Sequence, residues 1–221
     1  MIMMTMTDLT KKNCNVNYAK ELDKIIRTLD HRPKLLLHSC CAPCSSYCLI
    51  YLLEHFDITC FYYNPNITDA NEYEKRVAEL RRLVDTLNDE YALTDSRSIK
   101  IIEGDYEPDR FIRAAEEGDL TLCPEGGERC RMCFGMRLGK TYEEACSEGF
   151  EYFTTTLTIS PLKDAKLINS IGCALSEGSD GPLWLPSDFK KNDGYKQSIE
   201  LSRKYDLYRQ NYCGCEYSHS N

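Results

Sequence analysis

The sequence predicts a three-layer α/β fold: a parallel sheet with helices on both faces and a cysteine-rich metal site at the C-terminal strand ends. Three observations lead there. Segments with helical spacing alternate with short strand-like runs along the chain. The runs are continuously apolar rather than alternating, as expected of strands buried on both faces. The first run, Leu35-Leu36-Leu37, leads through His38 into Ser39-Cys40-Cys41-Ala42-Pro43-Cys44, where the next helix begins. Ligands of such sheets bind beyond the C-terminal strand ends, near a topological switch point.

Each element has its own signal. Asn17 to Asp30 carries Leu22, Ile25, Ile26 and Leu29 on one helical stripe, and His31-Arg32-Pro33 ends it. Lys34 to Ser39 is a short buried strand. Pro43 suits a first helical turn, where its missing N–H is not needed, so Pro43 to His55 is helical. Ile58 to Tyr63 is β-branched and aromatic, a second strand, closed by Asn64-Pro65-Asn66. Thr68 is the expected N-cap of a long helix to about Leu87, with Tyr73, Val77, Leu80 and Val84 on one face. Ser98 to Glu103 is a third strand, and Glu107 to Glu117 a helix stopped by Gly118. Arg129 to Ser147 is helical and closed by Gly149, and Tyr152 to Leu157 is a fourth strand. Asp164 to Leu175 and Gly194 to Tyr205 are the last helices. Ser179 to Asp188 reads as a loop, and the tail from Tyr208 is irregular.

The 221 residues suit one domain plus an appendage: a helical extension over 1–33 and a single α/β domain over 34–217. The hydrophobic share of 42 % and charged share of 28 % are those of a soluble globular chain. No apolar run approaches the ~18 residues of a membrane span, and Met1 to Asp8 lacks the form of a signal peptide, so the expected compartment is the cytoplasm. A net charge of −8 excludes indiscriminate nucleic-acid binding but not a local basic surface. Arg129, Arg131, Arg137 and Lys140 form one basic stretch, and Phe189 to Lys204 holds another; each reads alone as a solvated helix face.

Thirteen cysteines in a chain without an export signal point to metal or redox chemistry. Cys40 and Cys41 sit where a helix N-terminus favours thiolates, with Cys44 three residues on. A second cluster runs from Cys123 to Cys130 and Cys133. Its C-x-x-C pair places two sulfurs on one side of a helix or turn, enough with Cys40 and Cys41 for a [4Fe-4S] cluster or a tetrahedral zinc site. Adjacent cysteines suit the wider cluster better, because neighbouring side chains diverge. The third cluster, Cys213-Gly214-Cys215, is either a labile disulfide, a pair of tail thiols or two further metal ligands. Cys14, Cys48, Cys60, Cys146 and Cys173 stand alone and read as buried or incidental thiols.

Weaker signals are read as structural. His38 is a core histidine, and His31, His55 and His219 have no partner pattern. Asp105 and Glu107 are a loop acid and a helix-start acid. Tyr62-Tyr63 lies at a strand end, where rings can stack on a base, with core packing as the default.

Taken together, these motifs resemble the epoxyqueuosine reductase QueH family. The resemblance is carried by Leu35 to Cys44, Tyr63-Asn64-Pro65-Asn66-Ile67 and Pro124 to Cys133, and continues through Thr155 to Pro161, Ser187-Asp188-Phe189-Lys190-Lys191 and Tyr212-Cys213-Gly214-Cys215. It implies a sheet similar to that of nucleotide α-hydrolases, a Rossmann-like architecture. It implies reduction of the epoxide of epoxyqueuosine to the alkene of queuosine at the tRNA wobble position, the last step of that pathway, without cobalamin. Carried over, Cys40, Cys41, Cys130 and Cys133 are ligands of a [4Fe-4S] cluster, and Cys213 and Cys215 the redox-active disulfide. A second metal, iron being the candidate, would draw on Cys44 and Cys123. The partners implied are a tRNA anticodon loop and an external electron donor, with Arg129, Arg131 and Lys190-Lys191 as the basic patch.

Two other classes compete. ATP-using tRNA thiolases share such folds but carry an S-G-G-x-D-S-type phosphate loop; here Ser39-Cys40-Cys41-Ala42-Pro43-Cys44 offers no glycine and no aspartate. A zinc-stabilised nucleic-acid-binding module would use the same thiols without redox chemistry.

Overall fold

The computed structural model describes residues 16–218. The readings of Met1 to Asp8, Cys14 and His219 lie outside the described residues.

The elements are α1 (Tyr18–Thr28), β1 (Lys34–His38), α2 (Ala42–Leu52), β2 (Asp57–Tyr62), α3 (Ala70–Glu90) and β3 (Lys100–Glu103). They continue with α4 (Pro108–Glu117), α5 (Glu128–Ser147), β4 (Tyr152–Thr155), α6 (Ala165–Ser176), β5 (Leu183–Trp184) and α7 (Gly194–Lys204). The strands form one parallel sheet in the order β3-β2-β1-β4-β5. Strand order therefore reverses between β1 and β4, and the crevice at their C-terminal ends is the switch point. Register places His38, the last residue of β1, between Phe61 and Thr155.

β1 is the centre of the sheet because its side chains feed both cores. Leu35 and Leu37 pack with Leu49, Leu52, Leu80 and Leu83 on one face. Leu36 packs with Phe134, Leu138, Phe153 and Ile168 on the other. All three leucines are fully buried, each contributing about 1.5–3 kcal/mol. Leu22 of α1 joins the first core. Among the described residues, no helix is long and apolar enough to cross a membrane.

Three local features depart from the expected pattern. Asp69, not Thr68, caps α3, its carboxylate accepting from the Glu72 N–H at 3.0 Å. β4 stops at Thr155 and the chain turns into a 3-10 helix, Thr156–Ile159, because Thr155 Oγ1 takes the Leu157 N–H at 3.1 Å. The stretch read as a loop contains β5, whose two residues are too few to show a period. β5 is fixed by side chains: Trp184 Nε1 donates to Asn169 Oδ1 at 3.0 Å. The Trp184 ring also lies so close to Gly172 that a Cβ there would sit 2.2 Å from it.

Candidate metal and redox centre

Three groups of thiols gather around the switch point. The first is set by backbone geometry. Cys41 is the N-cap of α2 in extended conformation, and Cys44 is its third helical residue. N-cap and N3 side chains face one another, so C-x-x-C at this position turns two sulfurs together, and Cys40 joins from the loop. The sulfurs of Cys40 and Cys41 are 3.8 Å apart. Those of Cys40, Cys41 and Cys44 all lie within 4.8 Å of one another, close enough for a single metal ion. Thr156, across the switch point, holds the loop: its Oγ1 accepts from Cys40 N at 3.2 Å and donates to Cys40 Sγ at 3.4 Å.

Electrostatics favour a thiolate here. The Cys40 thiol is held well below its ordinary value, first by S–H donation from Cys41 and Cys44, then by the charges of Lys163 and Arg137. Cys41 is pushed up to about 11, mainly because its proton is the one donated to Cys40.

The second group, Cys130 and Cys133, lies on the first turns of α5. Burial pushes Cys133 up to about 11 and raises Cys130. The third group is Cys213 and Cys215, free thiols in this structure. Cys213 is brought down to about 5, chiefly by donation from Cys215, whose own value rises for the same reason.

Two cavities join these groups. One of about 390 Å³ is lined by Cys40, Cys41, Cys44 and Cys213. The other, about 110 Å³, is lined by Cys130, Cys133, Cys213 and Cys215. Cys213, Arg137 and Lys163 line both. Cys123 is not among the thiols of either wall; its carbonyl accepts from Arg129.

The framework behind the thiols is a polar network that spacing alone does not disclose. Arg137 is 3 % exposed. Its guanidinium donates to His38 Nε2 at 3.3 Å and to Asn64 Oδ1, and its Nη1 lies 4.0 Å from Cys133 Sγ. His38 Nδ1 is 2.8 Å from Thr155 Oγ1. Burial, reinforced by Arg137, lowers His38 to about 3, so it stays neutral. Asn64 Nδ2 ties the network to Ser39 O at 3.0 Å.

A second set of side chains holds the tail. Arg76, 2 % exposed, is paired with Glu72 at 2.7 Å and donates to Cys213 O at 3.1 Å and Tyr212 O at 3.4 Å. Asn66 Nδ2 adds a bond to Cys213 O at 3.0 Å. Gly214 has φ +99°, and a Cβ there would lie 2.7 Å from Ile67 Cγ1, so the turn requires glycine.

Two sequence expectations need correction. Arg129 and Arg137 were expected on a solvated basic face; both are buried. Arg129 is 2 % exposed and its Nη1 and Nη2 donate to the carbonyls of Leu120, Thr121, Cys123 and Tyr217, while its Nε is buried without a partner, so it does not present a solvated cation for a phosphate-binding patch. Lys190 is paired with Asp188 at 3.0 Å. The structural readings hold elsewhere: Tyr62, Tyr63 and His38 are buried, and Glu107 accepts from Tyr63 Oη at 2.8 Å.

The donor set fits a thiophilic metal. Soft sulfur ligands select iron–sulfur clusters and zinc, and three converge. Arg137 adds an independent sign. Among the described residues no carboxylate pairs with it. A buried unpaired charge costs several kcal/mol, and an anionic thiolate–metal centre beside it would offset that cost.

A doubly wound sheet that presents thiols at its switch point, where nucleotide-binding sheets present a phosphate loop, defines a thiol-centred metal or redox enzyme. The particular family follows from comparison with known proteins. The family model described as epoxyqueuosine reductase QueH matches residues 35–221. A protein of Staphylococcus epidermidis named epoxyqueuosine reductase QueH is 43 % identical over 210 residues, covering 94 % of this chain and 86 % of that protein. Those of Streptococcus pyogenes and Thermotoga maritima, with the same name, are 40 % and 34 % identical, covering 93 % and 83 % of this chain and 79 % and 89 % of theirs. The chain belongs to the epoxyqueuosine reductase QueH family and is an oxidoreductase.

Proposed function

We propose that this chain reduces epoxyqueuosine to queuosine at the wobble position of tRNA, the last step of queuosine biosynthesis. The observation that carries this reading is the meeting of three thiol groups around adjoining cavities at the switch point. In this reading Cys40, Cys41, Cys130 and Cys133 hold a [4Fe-4S] cluster. Cys213 and Cys215 cycle between dithiol and disulfide. Cys44, beside the first pair, is the residue left for a second metal, with iron the candidate; Cys123, the other residue the resemblance offered, lines neither cavity.

The balance is simple. The epoxide, two electrons and two protons give the alkene and water. A cluster, when bound, supplies electrons singly. Cys213 and Cys215 supply a two-electron store, giving up two protons and two electrons as the S–S bond forms; an external donor restores the dithiol. Arg137 lines both cavities and is braced from behind by His38, which burial keeps neutral. The tRNA loop would be met by cations on the larger cavity wall, such as Arg209. The expected compartment is the cytoplasm, where tRNA is found.

The test incubates reconstituted protein, a reductant and epoxyqueuosine-containing tRNA under anaerobic conditions, then analyses the nucleosides by mass spectrometry. Loss of the mass of one oxygen supports the reading; an unchanged nucleoside with fully loaded protein contradicts it.

A further inference from the structure

The cations around the two cavities differ in whether their N–H donors are already bonded within the chain. Arg76 is paired with Glu72. Arg129 is spent on carbonyls. Arg137 is locked between His38 and Asn64. Arg209 donates to Tyr195 Oη at 3.3 Å and stacks over that ring. Lys163 differs from them. It is half-buried, lines both cavities, and among the described residues its ammonium has no hydrogen-bond or ion-pair partner. The adjacent Asp164 does not pair with it, because its carboxylate caps α6 through the N–H groups of Lys166 and Leu167.

Backbone geometry puts Lys163 there. β4 ends at the switch point, the 3-10 helix follows, and the chain turns at Ser160-Pro161-Leu162-Lys163 before α6. The Lys163 N–H bonds Ser160 O at 3.3 Å, and its own carbonyl receives Lys190 Nζ at 3.4 Å. The residue is therefore fixed at its backbone, and it lines the two cavities that the thiol groups share. Its charge reaches both sides, stabilising the Cys40 and Cys213 thiolates.

We propose that Lys163 is a catalytic residue, the proton donor to the epoxide oxygen. This role rests on the functional reading above. Opening the ring puts negative charge on oxygen at the moment two electrons enter. An alkoxide is a far stronger base than an amine, so transfer from an ammonium to the opened oxygen is downhill. One C–O bond breaks as Lys163 gives oxygen its first proton, and the second breaks as the alkene forms. A second proton, from solvent, completes water. The two electrons come from the reductant the enzyme already uses, and solvent reprotonates the lysine.

The test compares K163Q and K163R with the parent protein in steady-state kinetics on epoxyqueuosine-containing tRNA with excess reductant. Iron, sulfide and tRNA affinity are measured on the same samples. General acid catalysis contributes about 10²–10⁴-fold, so both variants are expected to lose that much in kcat. Arginine keeps the charge but holds its proton too tightly to donate it. Iron, sulfide and, for K163R, tRNA affinity are expected to match the parent. A K163R rate within a few-fold of the parent overturns the proposal, because charge alone would then suffice. So does a K163Q loss confined to KM and tRNA affinity, which would make Lys163 a phosphate anchor. A loaded parent protein that leaves the epoxide intact overturns the functional reading itself, and is distinguished by the parent's own result.

Discussion

The switch-point loop and the C-terminal tail both bring thiols to the same cavities, but they are held by different means. Cys40, Cys41 and Cys44 are placed by a strand end and a helix start, and Thr156 is the side chain that braces them. Cys213 and Cys215 lie on irregular chain. Asn66, Thr68, Arg76 and Arg129 hold that chain through its carbonyls, from parts of the sequence far away. The first region is a rigid donor set. The second is a pair of free thiols on irregular chain outside the sheet, fixed by side chains and backbone N–H groups from elsewhere. That difference matches the roles proposed for them, a metal seat and an electron store.

The comparison can be broken in stages. Replacing Cys40 and Cys41 by alanine removes two sulfurs of the converging trio, and is expected to abolish metal retention and reductase activity; metal analysis and the tRNA assay check both. Arg76→Gln leaves Glu72 without its buried partner and frees the tail. It is expected to cost on the order of 3 kcal/mol in urea unfolding while leaving the spectrum of the metal centre intact. Gly214→Ala forces a side chain into positive φ against Ile67, and is expected to cost about 1–3 kcal/mol, read by the same unfolding curves. Cys215→Ala removes the donor that keeps Cys213 ionised, so alkylation of Cys213 in metal-free protein near pH 6–7 is expected to slow.

The smallest effect lies at the opposite end of the sheet. His31 bonds Asp30 at 2.7 Å and Glu151 at 2.9 Å, and those bonds raise its value above that of ordinary imidazole. A raised folded value stabilises below the unfolded value of ~6.5 and fades as pH rises through the folded one. Thermal unfolding from pH 6 upward is expected to show that decline in the parent and a flatter profile in His31→Gln, with reductase activity unchanged.

What was legible in the sequence follows the same division. Among the described residues, continuous apolar runs and helical stripes place four of the five strands and the seven α-helices, because β1, β2 and the long helices carry their period in adjacent residues. The Cys40-Cys41 site was legible for the same reason. β5 was not, since two residues held by Asn169 and Gly172 have no period. Arg129 and Arg137 looked like surface charge because helical spacing does not report partners. The carbonyls bound by Arg129 and the Asn64 bound by Arg137 are supplied by the tertiary fold. Lys163 lacked a local signal too; only the cavity walls single it out.

The division between metal seat and tethered dithiol is tested most directly by anaerobic iron and sulfide analysis of three reconstituted double-alanine variants. They carry the changes at Cys40 and Cys41, at Cys130 and Cys133, and at Cys213 and Cys215. The account predicts loss of iron and sulfide in the first two and retention in the third. Full retention in the Cys130/Cys133 variant, or loss in the Cys213/Cys215 variant, would contradict it.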